Sequence, residues 1–210
     1  MDYQSHTLSQ YIKELASGAP TPGGGSGAAL IGATGAALVS MVGNLTIGRK
    51  KYAAVESDMR QIVEAAGKLQ EELLALVTED TEVYGVVMSA YKLPRSTDEE
   101  KAARQAAIEE GLRHACSVPL RTAEACIKIL ELAIPAAQKG NTNAVSDAAV
   151  GGHAAHAALL SALLNVRINL VNLPDDEWKA QTTARVEQLT AQGAKLAQEV
   201  QDITDRILGE

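Results

Sequence analysis

The chain has 210 residues, enough for one sizeable domain over 1–210. Hydrophobic residues make up 46% but aromatics only 3%, with no Phe, so a core must be filled by Ala, Val, Leu and Ile, which suits closely packed helices better than strands. A formal charge of −7 argues against a nucleic-acid partner, and two cysteines without CxxC or zinc spacing fit a reduced, cytoplasmic setting.

The opening MDYQSHTLSQ has no basic stretch followed by an apolar one, so no export signal is expected there. Thr7 and Gln10 stand at capping-box spacing and predict a short helix over 7–17, which GAPTPGGGSG breaks. Ser26 is expected to cap an apolar, proline-free helix over 26–47. One long helix or a kinked pair follows over 53–92, ended by Leu93-Pro94. Thr97 with Glu100 gives a second capping box, followed by the favourable pairs Glu100/Arg104 and Glu109/Arg113. Pro119 is placed as the first residue of the next helix, which stops at Lys139-Gly140 with Gly140 at C′; Pro135 is expected to kink or shorten it.

Residues 144–170 read as another small-residue apolar helix. Pro174-Asp175-Asp176-Glu177 is an N-terminal signature, and the last helix sets Val186, Leu189, Leu196, Val200, Ile203 and Ile207 three, four or seven apart. No convincing strand and no solenoid repeat is present. The expected class is all-α, an antiparallel helical bundle.

The stretch GGGSGA at 23–28 formally matches G-x-G-x-x-A. Pro20 and Pro22 precede it instead of a strand, however, and the first acid afterwards is Glu56. No Lys-Ser/Thr follows as a phosphate loop requires. The segment 26–47 has the length of a membrane span, but Ala and Gly carry it, with Thr34, Ser40, Asn44 and Thr46 interspersed. Small residues recur every fourth position at Ala28, Gly32, Ala36 and Ser40, so a buried central helix is the preferred reading and no membrane partner is expected. Gly24, Gly25 and Ser26 then either present free N–H groups to a polar ligand or simply let the chain turn sharply.

Leu73, Leu76, Val77, Val83, Tyr84 and Val87 form an apolar stripe, and Asp80 lies on it. Its neighbours one turn away are Leu76, Val77, Val83 and Tyr84, so its own helix offers no cation, whereas Glu79 and Glu82 share a polar face with Glu72. A core-facing carboxylate is costly unless paired or hydrogen-bonded, which makes Asp80 the best catalytic candidate; a structural salt bridge or a frayed segment is the alternative. Asp147 is the only formal charge between Lys139 and Arg167 and has Asn141, Asn143, Ser146, Asn165 and Asn169 around it; helix capping explains the group equally well. Arg49, Lys50 and Lys51 either complement a helix C-terminus or hold an anionic substrate. His153 and His156, three apart, lack a third ligand and read as structural, so no metal site is expected. Neither cysteine shows a nucleophile signature, and Ser26 lacks the setting of a nucleophile elbow.

Taken in order, APTPGGGSGAAL, MVGNLTIGRKKY, VTEDTEVYGVVMSAYKLPRSTDEEK, SVPL, KGNTNAVSDA and LLNVRINL resemble the cyclodeaminase/cyclohydrolase family of folate enzymes, from Leu8 to the last helix. That family includes formiminotetrahydrofolate cyclodeaminase, often fused to a formiminotransferase, and stand-alone bacterial methenyltetrahydrofolate cyclohydrolase; SMVGNLTIGRKKY looks closer to the latter. The resemblance implies a homodimer with a folate site near the subunit interface, a tetrahydrofolate derivative as substrate and no tightly bound cofactor. It places the catalytic aspartate on Asp80. The glycine loop (Gly24, Gly25, Ser26), Asn44, Arg49, Lys50, Asn143 and Asp147 are the expected substrate contacts. Hydrolysis of 5,10-methenyltetrahydrofolate is the first expectation. Cyclodeamination of 5-formiminotetrahydrofolate is the second, and a non-catalytic folate-binding or dimerisation module the third.

Overall fold

The computed structural model describes residues 3–209, and every regular element among them is helical. Six α-helices follow in order: α1 (Leu8–Leu15), α2 (Gly24–Thr46), α3 (Glu56–Tyr91), α4 (Asp98–Lys139), α5 (Val145–Leu170) and α6 (Glu177–Leu208). Short 3-10 turns at Tyr3–Ser5, Lys50–Val55 and Thr142–Ala144 join them. Both expected capping boxes form, Thr7 with Gln10 and Thr97 with Glu100, and Asp176 caps α6 by accepting the Lys179 N–H at 2.9 Å.

From α2 onwards, successive long helices pack antiparallel. Gly25, Gly32 and Gly43 of α2 meet Asp80, Leu73 and Val63 of α3, while Gly24 and Gly35 meet Asn165 and Gly151 of α5. The small residues act as anticipated. At the α2–α5 crossing a Cβ on Gly35 would lie 2.8 Å from the Gly151 carbonyl oxygen, so the two backbones touch where any larger side chain would part them. The core is built of Ala, Val, Leu and Ile, with Met59, Leu73, Leu130 and Leu163 among its fully buried members.

Three expectations change. Ser26 does not cap α2, which starts at Gly24 with Gly23 as N-cap; its hydroxyl is used in a contact with α3 instead. Pro119 does not begin a helix and Pro135 does not end one, for α4 runs from Asp98 to Lys139 through both. The N–H that Pro119 lacks would have served the Ala115 carbonyl, and Asn169 Nδ2 from α5 donates to that oxygen at 2.9 Å in its place. Gly140 does end α4, but in an extended conformation (φ −72°, ψ −177°); a Cβ there would overlap the Ala136 carbonyl and lie 2.8 Å from Val42 Cγ1. Crowding, not a left-handed turn, calls for glycine here.

Two segments, Gly24–Thr46 and Thr142–Leu170, are long and apolar enough to cross a membrane, one more than the sequence suggested. In the bundle they pack against each other and are half buried.

Candidate active site

The start of α2 lies opposite the middle of α3, and Asp80 projects into the first turn of α2. Its Oδ2 accepts the Ser26 N–H at 2.9 Å. A carboxylate on a neighbouring helix thus takes the place of an N-cap side chain, satisfying one of the free donors of α2 and meeting the positive end of its dipole. The contact requires Gly25: a Cβ there would overlap Asp80 Oδ1 and lie 2.7 Å from Cγ.

Ser26 is fully buried between the two helices. Its hydroxyl donates to the Val77 carbonyl at 2.9 Å and accepts from the Tyr11 hydroxyl, also at 2.9 Å. Ser26 therefore binds α3 twice, through its side chain at Val77 and its backbone at Asp80, and Tyr11 ties α1 to the same point.

Asp80 has no ion-pair partner among the described residues. Arg121 is engaged by Glu79 at 2.7 Å, on the polar face where Glu79 was expected. Burial pushes the Asp80 carboxyl above its usual range, and the Ser26 N–H offsets this only in part. Beside it opens a cleft of about 400 Å³ between α3, α4, α5 and the glycine loop. Tyr84 and Tyr91 of α3, Leu112 of α4 and Asn165 and Asn169 of α5 line it, together with Gly24 and Gly25. It offers a carboxylate, backbone donors of a helix start, the amides of Asn165, Asn169 and Asn172, and apolar side chains.

Of the residues singled out from the sequence, Gly24, Gly25, Ser26 and Asp80 come together. Asn44, Arg49, Lys50, Asn143 and Asp147 stand at the other end of the bundle. Asn44 is twenty residues along α2 from Gly24, a rise of about 30 Å. That end is joined by its own contacts. Lys139 pairs with Asp58 at 2.6 Å, and Asn141 accepts the Asn143 N–H while donating to the Leu45 carbonyl. The Tyr52 hydroxyl hydrogen-bonds the Thr142 hydroxyl at 3.3 Å and accepts the Thr142 N–H at 3.1 Å; the first bond, then the second, brings this phenol down to about 8. Asp147 sits in the first turn of α5. His153 is exposed, and burial followed by the nearby His153 keeps His156 below its usual value. No group of three or more His, Cys, Asp or Glu able to hold a metal occurs among the described residues. Both cysteines are buried, which pushes each thiol up to about 12.

Sequence reasoning noticed Asn165 and Asn169 but grouped them with Asp147. Their spacing of four on an otherwise apolar helix was the available signal, and the antiparallel run of α5 turns it toward Asp80.

Comparison with known proteins places the chain in a family. The family model for formiminotransferase-cyclodeaminase matches residues 7–188. A protein of Methylorubrum extorquens named methenyltetrahydrofolate cyclohydrolase is 45% identical over 93% of this chain and 94% of its own. Rat formimidoyltransferase-cyclodeaminase is 37% identical over 87% of this chain, which spans only 34% of that longer protein. Among solved structures, formiminotetrahydrofolate cyclodeaminase from Thermotoga maritima superposes with a TM-score of 0.88 at 30% identity, covering 98% of each chain. The matched region takes in the Asp80 cleft and the helices that build it, and the chain belongs to the formiminotransferase-cyclodeaminase family.

Proposed function

We propose that the protein is a tetrahydrofolate one-carbon enzyme that hydrolyses 5,10-methenyltetrahydrofolate to 10-formyltetrahydrofolate. The observation that carries this reading is Asp80, a carboxylate without a cation at the wall of an apolar cleft, held by the start of α2. A cationic substrate supplies the missing charge. The bridging carbon of 5,10-methenyltetrahydrofolate lies in an amidinium, so it is already electrophilic and no tightly bound cofactor is called for.

In this mechanism the Asp80 carboxylate stabilises the bound cation, and the cation in turn favours the ionised form of Asp80 against burial. A water attacks the bridging carbon as Asp80 takes one of its protons. The carbon–N5 bond then breaks and N5 receives that proton from Asp80. The new hydroxyl loses its own proton to solvent, leaving the formyl group on N10. Atoms and charge balance as substrate cation plus water to neutral product plus a proton.

The second reading is formiminotetrahydrofolate cyclodeaminase, the name of the Thermotoga relative. There N10 attacks the formimino carbon and ammonia leaves through a related tetrahedral carbon, so the same carboxylate serves. The higher identity to the cyclohydrolase, 45% against 30%, favours hydrolysis.

The enzyme works as a homodimer in this proposal. Ile31, Met41 and Leu45 on α2 and Val150, Leu160 and Leu164 on α5 are exposed, ten and four residues apart on each helix, forming rows that a second copy would cover. Should the two copies align their α2 helices antiparallel, the partner's Arg49 and Lys50 would approach the mouth of the cleft, where the glutamate tail of a folate needs a cation. Asn44, Asn143 and Asp147 belong to the same end. A cytoplasmic setting, with neither nucleic acid nor membrane as partner, completes the reading.

The test is the near-ultraviolet absorbance of 5,10-methenyltetrahydrofolate. Protein-dependent decay that Asp80→Asn abolishes supports hydrolysis. No acceleration over buffer, with appearance of that absorbance and ammonia from 5-formiminotetrahydrofolate, supports the second reading. Failure of both leaves a folate-binding or dimerisation module without catalysis.

A further inference from the structure

We propose that Asn165 and Asn169 recognise the hydrogen-bond-donating edge of the pterin ring, its 2-amino group and N3–H. This assignment rests on the folate reading above and adds to it the residues that select the ring. It starts from the missing N–H of Pro119. The Ala115 carbonyl has no partner within α4 and takes Asn169 Nδ2 at 2.9 Å. A carbonyl can only accept, so this amide has one orientation, with its NH2 on Ala115 and its oxygen left over. Asn165 is fixed in the same way, Nδ2 donating to the Ser161 carbonyl at 2.9 Å. No described residue donates to either oxygen.

Both amides line the cleft. Asn165 stands beside Gly24, 3.6 Å from where a Cβ would be, and hence at the level of Asp80. Asn169 is one helical turn, about 5–6 Å, farther along. Around them Val83, Val87, Leu112 and Ile168 line the wall, with Asn172 one turn beyond Asn169, and the apolar side chains suit a flat ring. Acceptors of fixed direction in such surroundings favour a ligand that brings donors. The pyrimidine half of a tetrahydropterin carries adjacent N–H donors on one edge, at a distance from the bridging carbon. With that carbon at Asp80, the donor edge falls along the amide row.

The test compares 5,10-methenyltetrahydrofolate with its 2-desamino analogue on the wild-type chain, Asn165→Ala and Asn169→Ala, each checked for its thermal unfolding. The wild-type protein should prefer the natural substrate by about 10- to 100-fold in kcat/KM, the scale of one buried hydrogen bond left unmade. The variants should lose that preference through a raised KM for the natural substrate, with the analogue unaffected. Asn165→Ala leaves the Ala115 carbonyl paired, so the comparison stands if Asn169→Ala does not fold. A wild-type protein indifferent to the 2-amino group, or variants that keep the preference, overturns the assignment while leaving the enzyme reading intact. Turnover of neither compound by the wild-type chain, with 5-formiminotetrahydrofolate also left unreacted, removes both together.

Discussion

Gly25 and Asp80 are matched in shape: the carboxylate occupies the space where any Cβ at residue 25 would stand. Gly25→Ala must push Asp80 aside or part α2 from α3. Because a displacement of about 1 Å at a reacting group costs roughly 100-fold, kcat/KM should fall by at least that factor. Steady-state kinetics alongside circular dichroism checks this, and an active, well-folded Gly25→Ala protein would count against Asp80 as the catalytic group.

In the proposed mechanism Asp80 acts as a base in its ionised form, and burial raises its pKa. The rate should therefore rise with pH through a point above the ordinary carboxylate range, and Asp80→Asn should lower kcat by about 10²- to 10⁴-fold and remove that limb. A pH profile of kcat/KM reads this out for the free enzyme.

Stability follows the opposite sign. A folded-state pKa above the unfolded one means that the neutral acid favours folding. This contribution is present below the unfolded pKa and is lost as pH rises through the folded one. Asp80→Asn, permanently neutral, should thus melt above the wild-type protein at neutral pH, with the gap closing in acid. Thermal unfolding at several pH values gives the answer, and a lower Tm for Asp80→Asn at neutral pH would contradict it.

Asn169 stands in for the backbone N–H that Pro119 lacks. Removing it by Asn169→Ala should cost about 1–3 kcal/mol, the range for a buried carbonyl left without a partner. Pro119→Ala gives α4 its own donor back, so Asn169→Ala should cost less in that background. Urea unfolding of the four proteins in a double-mutant cycle measures the coupling, and equal costs in both backgrounds would separate the two residues.

The exposed apolar rows of α2 and α5 should bury against a second copy. Leu160→Asp with Leu164→Asp places charge in that face and should shift the protein from dimer to monomer in sedimentation velocity. If the partner's basic end serves the cleft, KM for a folate should rise in the monomer more than kcat falls. A wild-type chain that sediments as a monomer would rule out the pairing.

Most of the helix plan could be read locally, since caps and periodicity depend on neighbours in sequence. Thr7 and Thr97 act where their spacing put them, Asp176 caps the helix whose start its Pro-Asp-Asp-Glu run marked, and Asp80 stood out because a carboxylate on an apolar stripe demands an explanation. What escaped was decided between helices. Pro119 looks like a beginning until Asn169, fifty residues on, supplies its missing donor. Ser26 looks like a cap until Val77 and Asp80 take its two donors. Arg49 and Lys50 are expected as substrate contacts beside the glycine loop, yet within one chain a straight α2 carries its two ends apart, so they can serve a cleft only from a second copy.

The Tyr11–Ser26 hydrogen bond carries a practical lesson for handling the protein. Through it the short N-terminal helix is joined to the segment that holds Asp80, and the backbone N–H of Tyr3 also donates to Thr78 Oγ1 at 3.2 Å, two residues before Asp80. A fluorophore, affinity tag or surface linker fused ahead of Tyr3 would sit close to the segment that holds Asp80. The exposed end of α6 at Gly209 lies toward the opposite end of the bundle and is the safer point of attachment.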